Sequence, residues 1–319
     1  MPEPSHQPGA SPAEPRLLRG RRALLEKQRW LVFVLPLVVY MAIGSLEPKR
    51  PKAKVVDWPD EKPASRESTG SEDAVSQDAG SEDAAPEDSG AGQEAKPQAE
   101  TGAGESGDGP AVPASPYRFY PLVYTIKIAL TLVAIWFVLP GYRAFPVRVS
   151  PLAVLVGVAG IIVWIGLCEL HLEQKWLEPL GLKSLLGLGV RPGFDPFRAL
   201  AHQPPWQLWG FLAVRLFGLV AVVALIEEFF LRGFLMRFVM DVDWWEIPVG
   251  RLSVEAVAAC VVYAVLSHPA ELFAAAAWFL LITLLAVKTK NIWDCVVAHA
   301  VTNLLLGVYV LVLGQWQYW

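Results

Sequence analysis

Ala224-Leu225-Ile226-Glu227-Glu228-Phe229-Phe230-Leu231-Arg232 sets three charges inside the apolar run Leu208–Met240. A helix needs about 20 such residues to cross the roughly 30 Å of bilayer hydrocarbon, and this run exceeds that length. At 3.6 residues per turn, Glu228 and Arg232 lie on one face and can pair. Glu227 falls about 100° around the helix from Glu228 and points elsewhere. The spacing therefore separates two adjacent glutamates into a paired one and one left over for chemistry. A plainer reading is that both merely neutralise Arg232 and Arg237 near a helix end.

Composition extends this to the whole chain. Of 319 residues, 54% are apolar and 18% charged, too little charge to cover a soluble domain of that size. The apolar residues cluster into Trp30–Leu46, Tyr120–Pro140, Pro151–Leu170, Leu208–Met240, Ser253–Ser267, Leu272–Val287 and Ile292–Leu313. The expected fold is all-α, a polytopic transmembrane bundle of about seven spans. Basic residues recur between alternate spans: Arg143 and Arg148, Arg237 and Arg251, Lys288 and Lys290. With the N-terminal arginines they predict a cytoplasmic N-terminus. Cys168, Cys260 and Cys295 all lie in apolar runs without Cys-x-x-Cys spacing, as small buried hydrophobes do.

Four segments follow. Residues 1–29 form a basic tail and 30–46 a first span, with Pro36 and the long basic preamble favouring an uncleaved anchor over a signal peptide. Residues 47–116 form an acidic low-complexity linker, and 117–319 the multi-span domain. Val56–Pro116 holds 15 acidic and 3 basic residues, so the net charge of −4 leaves +8 for the rest. Almost devoid of aromatic and β-branched residues, the linker cannot offset the entropy of folding and is expected to be disordered. The basic balance fits membrane topology, and no basic cluster is interleaved with aromatics as nucleic-acid binding would need. The stretch from His171 to Gln207 has an amphipathic portion expected to lie on the outer surface.

Ionisable groups within hydrocarbon are costly and are functional candidates by default. His268 ends the run Ser253–Ser267, where it could simply cap a helix. His299 and Asn303, four apart, share a face of the last span. Asn303 could alternatively be a link between helices. Depth ties them to Glu227. If the fourth span runs on to Met240, Glu227 and His268 both lie about 20 Å from one membrane face, and His299 about 14 Å. Were that span to stop at Arg232, Glu227 and His268 would sit on opposite sides.

Glu227-Glu228-x-x-x-Arg232, then His268, then His299-x-x-x-Asn303 resembles the CPBP family of intramembrane proteases. This is the CAAX-processing and bacteriocin-processing-like group, also described as glutamic-type intramembrane endopeptidases. Arg191-Pro192-Gly193-Phe194-Asp195-Pro196-Phe197 is similar to a bacterial CAAX-protease-related branch, which implies a bacterial inner membrane as the location. The resemblance implies Glu227 as the base that activates water, His268 as its partner, and His299 and Asn303 as groups that bind the scissile carbonyl. Glu228 and Arg232 would support them. One departure stands out: the family often has an aromatic residue four before the first histidine, where this chain has Ala264, with Tyr263 one further back.

The chemistry agrees with that assignment. Hydrolysis needs a base, and a carboxylate withdrawn from bulk water is a stronger one. It also needs donors aimed at the developing oxyanion. No cofactor is expected; the alternative is a zinc ion on Glu227, His268 and His299 with one position open. The expected partners are the bilayer and a membrane-associated protein or peptide substrate, with no nucleic acid. The competing function is a non-catalytic scaffold or transporter that uses the same buried polar residues.

Overall fold

The computed structural model describes residues 16–48, 119–177, 179–181 and 193–318. The expected linker, apart from Glu47 and Pro48, lies outside the described residues. So do the first 15 residues and most of the amphipathic stretch before Gly193. The described chain is all-helical. Its main helices are α1 (Arg16–Lys27), α2 (Leu31–Gly44), α3 (Tyr120–Tyr142), α4 (Pro151–Glu169), α5 (Pro205–Phe238), α6 (Val254–Ser267), α7 (Leu272–Thr289) and α8 (Ile292–Leu313).

Five of them, α3, α4, α5, α7 and α8, are long and apolar enough to cross a membrane. A sixth span is formed if α1 and α2, bent by 95° at their junction, are counted as one; α6, at 14 residues, is shorter. Val133, Trp136, Leu155, Ile162 and Leu284 are exposed on the long helices. That outward face would be unfavourable in water and suits lipid. The chain is an integral membrane protein. All three cysteines are buried and unbridged.

Local sequence sets the helix ends. Pro121 and Pro151 occupy first-turn positions of α3 and α4, where a missing N–H costs nothing. Ser253 caps α6 by accepting from the Ala256 N–H at 3.2 Å, and Asn291 caps α8 through the Trp293 N–H at 3.1 Å.

Helix α8 lies closely along α4. A Cβ on Gly157 would sit 2.6 Å from Val301 and 2.7 Å from the Ala298 carbonyl; one on Gly160 would sit 2.6 Å from Thr302. Small residues at this crossing let the backbones approach, as in other membrane helix pairs. The contact is locked by the Thr302 hydroxyl, which donates to the Gly157 carbonyl at 2.9 Å.

Basic residues gather at one end of the bundle. Arg22, Arg29, Arg143 and Arg237 line one cleft with Trp244 and Trp245, and Arg148 and Lys290 line another. At that end Phe33 of α2 packs on Phe145, Phe229 and Trp244 at centroid separations of 5.9, 6.2 and 5.1 Å. This aromatic cluster fastens α2 and α3 to α5.

Helix α5 is unbroken from Pro205 to Phe238, the continuity that the depth argument demands. It is not uniformly α-helical. Gly218–Val223 and Leu231–Leu235 are π-helical turns that bracket the regular stretch Ala224–Phe230. Such turns cluster at functional sites because they rotate the side chains that follow.

Candidate active site

Four consecutive residues of α5 serve four different surroundings, as a 100° step per residue dictates. Glu227 faces a cavity of ≈ 560 Å³. Glu228 is fully buried and turns toward α8. Phe229 enters the aromatic cluster, against Tyr142 and Trp293. Phe230 meets Tyr263 of α6 at 5.5 Å.

The pairing of Glu228 with Arg232 is present, with Nη1 3.0 Å from Oε1 and 2.9 Å from Oε2. Glu228 does more than the spacing predicted. Its Oε1 also lies 2.9 Å from Nδ1 of His299. An ionised carboxylate only accepts, so Nδ1 carries the proton and the imidazole presents Nε2 to the cavity. Nε2 lies 4.0 Å from Oε2 of Glu227. The His299 ring is held edge-on against Trp278, at a centroid separation of 4.5 Å. Trp278 in turn donates to Thr302 at 3.2 Å.

Arg232 extends this network into α7. Its Nη2 donates to the Phe279 carbonyl at 2.7 Å and reaches the Thr283 hydroxyl at 3.3 Å. Three helices, α5, α7 and α8, are thus joined through one buried arginine, one buried glutamate and one histidine.

His268 closes α6 in a non-helical conformation and sits between Trp164 and Phe279, at 5.3 and 5.7 Å. Its Nδ1 is 2.9 Å from the Ser267 hydroxyl. The same hydroxyl lies 2.7 Å from the Tyr263 carbonyl; where it donates there, Nδ1 is the donor in this pair. Nε2 is then the acceptor nitrogen of His268.

Asn303 donates from Nδ2 to the Leu219 carbonyl at 2.8 Å, within the first π turn of α5. One of its two N–H bonds is committed there, and the amide still has a second. Glu227, His268, His299 and Asn303 all line the one cavity. Among the described residues, no group of three or more His, Cys, Asp or Glu side chains is gathered tightly enough to hold a metal ion.

Residues 205–305 match the family model described as type II CAAX prenyl endopeptidase Rce1-like. Over these 101 of its 319 residues the chain is similar to that family. The matched segment runs from the start of α5 to two residues beyond Asn303, so it holds every motif residue. Comparisons with curated proteins and with solved structures find no match.

The Rce1-like segment does not enclose the cavity alone. Tyr40, Gly44 and Glu47 at the end of α2, Tyr120, Tyr124 and Lys127 of α3, Trp164 of α4 and Tyr318 near the C-terminus also line it. Sequence reasoning missed several of these. Lys127 and Arg215 lie inside apolar runs, a signal that the motif reading passes over. Tyr263 stands one residue off the family's aromatic position, and its ring packs on Phe230 and Phe279 at centroid separations of 5.5 and 5.6 Å.

Proposed function

We propose that the protein is an intramembrane endopeptidase that cleaves membrane-associated proteins by glutamate-activated water. The observation that carries this reading is the Glu228–His299 bond beside Glu227. A buried carboxylate fixes the tautomer of one histidine, whose other nitrogen faces a second carboxylate in a shared cavity.

In the proposed reaction, Glu227 takes a proton from a water held between it and His268. The water oxygen attacks the scissile carbonyl carbon, and negative charge develops on the carbonyl oxygen. That charge is met by the second N–H of Asn303 and by the Nε2–H of His299, which enters the step already carrying a proton on each nitrogen, its Nδ1–H held by Glu228. The proton held by Glu227 then passes to the amide nitrogen as the C–N bond breaks. No residue in this scheme needs a metal as partner.

The positive-inside bias supports a cytoplasmic location for the basic end of the bundle. The cavity then extends toward the opposite end, where Glu47, Tyr120 and Tyr318 lie. Two variants test the peptidase assignment in purified, detergent-solubilised protein. Glu227→Gln and His299→Ala are each expected to lower cleavage of a quenched-fluorescence CAAX-type peptide at least about a thousandfold, in line with loss of a catalytic base. Unchanged turnover in both variants would sink the assignment.

A further inference from the structure

At the basic end of the bundle, the ends of α1, α3 and α5 meet around a second cleft, of ≈ 620 Å³. A stripe running off the end of α1 lines it with Arg22, Leu25, Glu26 and Arg29, the i, i+3, i+4, i+7 spacing of one helix face. Arg143, the residue that ends α3, and Arg237, in the last turn of α5, line it as well. Arg29 and Arg143 are exposed, and Arg29 lies over the Trp245 ring at 4.9 Å. Arg237 is buried and held by three carbonyls. Its Nε, Nη1 and Nη2 donate to Ile247, Gly233 and Trp245 at 2.6, 2.8 and 3.0 Å. Carbonyls satisfy hydrogen bonds but do not cancel the charge, and a guanidinium that gives three of its five N–H bonds keeps two. Among the described residues no carboxylate forms an ion pair with Arg29, Arg143 or Arg237. Glu26 is the one carboxylate in the lining, so the cleft is net positive even with Arg22 left out of the count.

We propose that this cleft binds the phosphate of an anionic glycerophospholipid, with Arg29, Arg143 and Arg237 serving the phosphate oxygens. A planar guanidinium matches phosphate oxygens in shape and charge. A soluble phosphate ester shares that chemistry, and two observations favour the lipid. The remaining walls are apolar: Leu25, Val32, Phe33 and Trp244 line the cleft and are buried, which suits glycerol and acyl carbons. Depth agrees. Arg143 directly follows the 23 residues of α3, a length that spans the hydrocarbon, so it stands where headgroups begin. The 95° bend between α1 and α2 lays α1 along that same level. A headgroup that adds a cation, as choline does, meets repulsion from these arginines. None of this depends on the chemistry at Glu227.

The test titrates the delipidated full chain, in neutral detergent, with dioleoyl phosphatidylglycerol or dioleoyl phosphatidylcholine, and native mass spectrometry counts the lipid retained. Phosphatidylglycerol is expected to bind its first site at least about tenfold more tightly. Arg29→Gln combined with Arg143→Gln changes two exposed positions, where folding tolerates substitution, and should abolish the preference while leaving phosphatidylcholine binding unchanged. Arg148→Gln combined with Lys290→Gln alters the neighbouring basic cleft and should keep the preference. Equal binding of the two lipids by the unmodified chain overturns the proposal. So does an equal loss in both double variants, which would reduce the effect to diffuse surface charge. Glycerol 1-phosphate is the soluble arm. It should fail to displace the lipid at about a hundredfold excess, because burying a few acyl carbons is worth more than that ratio. Displacement at or below that excess would overturn the lipid assignment in favour of a soluble phosphate ester.

Discussion

Replacing Glu228 with glutamine should destabilise the protein by about 3–5 kcal/mol, the cost of breaking a buried ion pair from one side. The structure gives the reason for so large a figure. Glu228 is fully buried, Arg232 is 3% exposed, and the carboxylate serves Arg232 at 2.9–3.0 Å and His299 at 2.9 Å. Glutamine fills the same space but leaves the Arg232 charge uncompensated among Phe279, Thr283 and Leu231. An exposed pair at the same i, i+4 spacing would be worth about 0.3–0.5 kcal/mol, so burial decides the outcome. The second half of the prediction concerns Glu228→Gln combined with Arg232→Met. Removing both charges eliminates the orphan, and the double variant should lose about 2 kcal/mol less than the two single losses added together. Reversible unfolding in mixed micelles of increasing denaturing-detergent fraction, with tryptophan emission as the signal, measures all four corners of the cycle. A loss under about 1 kcal/mol for Glu228→Gln would refute the reasoning, because it would mean the site is hydrated. Strict additivity in the double variant would refute it as well, because it would mean the two residues do not depend on each other.

Three further outcomes are expected. Tyr263→Phe keeps the ring contacts with Phe230 and Phe279 but loses the hydroxyl beside Glu227. It should lower kcat by no more than about 3- to 10-fold with KM unchanged, the scale of one polar neighbour of that carboxylate, as read by steady-state peptide cleavage. Asn303→Ala removes the proposed oxyanion donor and should lower kcat by about 10²–10³-fold while costing about 1 kcal/mol of stability; near-normal kcat would remove Asn303 from the site. Gly157→Ala places a methyl 2.6 Å from Val301 and 2.7 Å from the Ala298 carbonyl. It should cost about 1–3 kcal/mol in thermal unfolding and lower activity by displacing α8 and the adjoining His299.

The sequence by itself determined that the chain is helical and built for lipid, because lengths near 20 apolar residues leave the backbone no other way to satisfy its hydrogen bonds. It also separated Glu227 from Glu228, since helical phase is a local property of adjacent residues. His299 and Asn303 were legible as a pair for the same reason. Other facts needed the folded chain. Glu228 bonds to His299 across 71 residues, a contact that no local period encodes. The two π turns in α5 are invisible to a 3.6-residue pattern, yet one of them supplies the Leu219 carbonyl that holds Asn303. His268 reached the cavity only because α5 continues past Arg232 and α6 ends beside it; the sequence could state that as a condition but not decide it. Arg215 and Lys127 stand in apolar runs of the sequence, where the motif reading passes over them. Lys127 is paired with Glu47 from a distant helix end and Arg215 stacks among tyrosines of α3, and only the packing of α2 and α3 against α5 brings these partners to them.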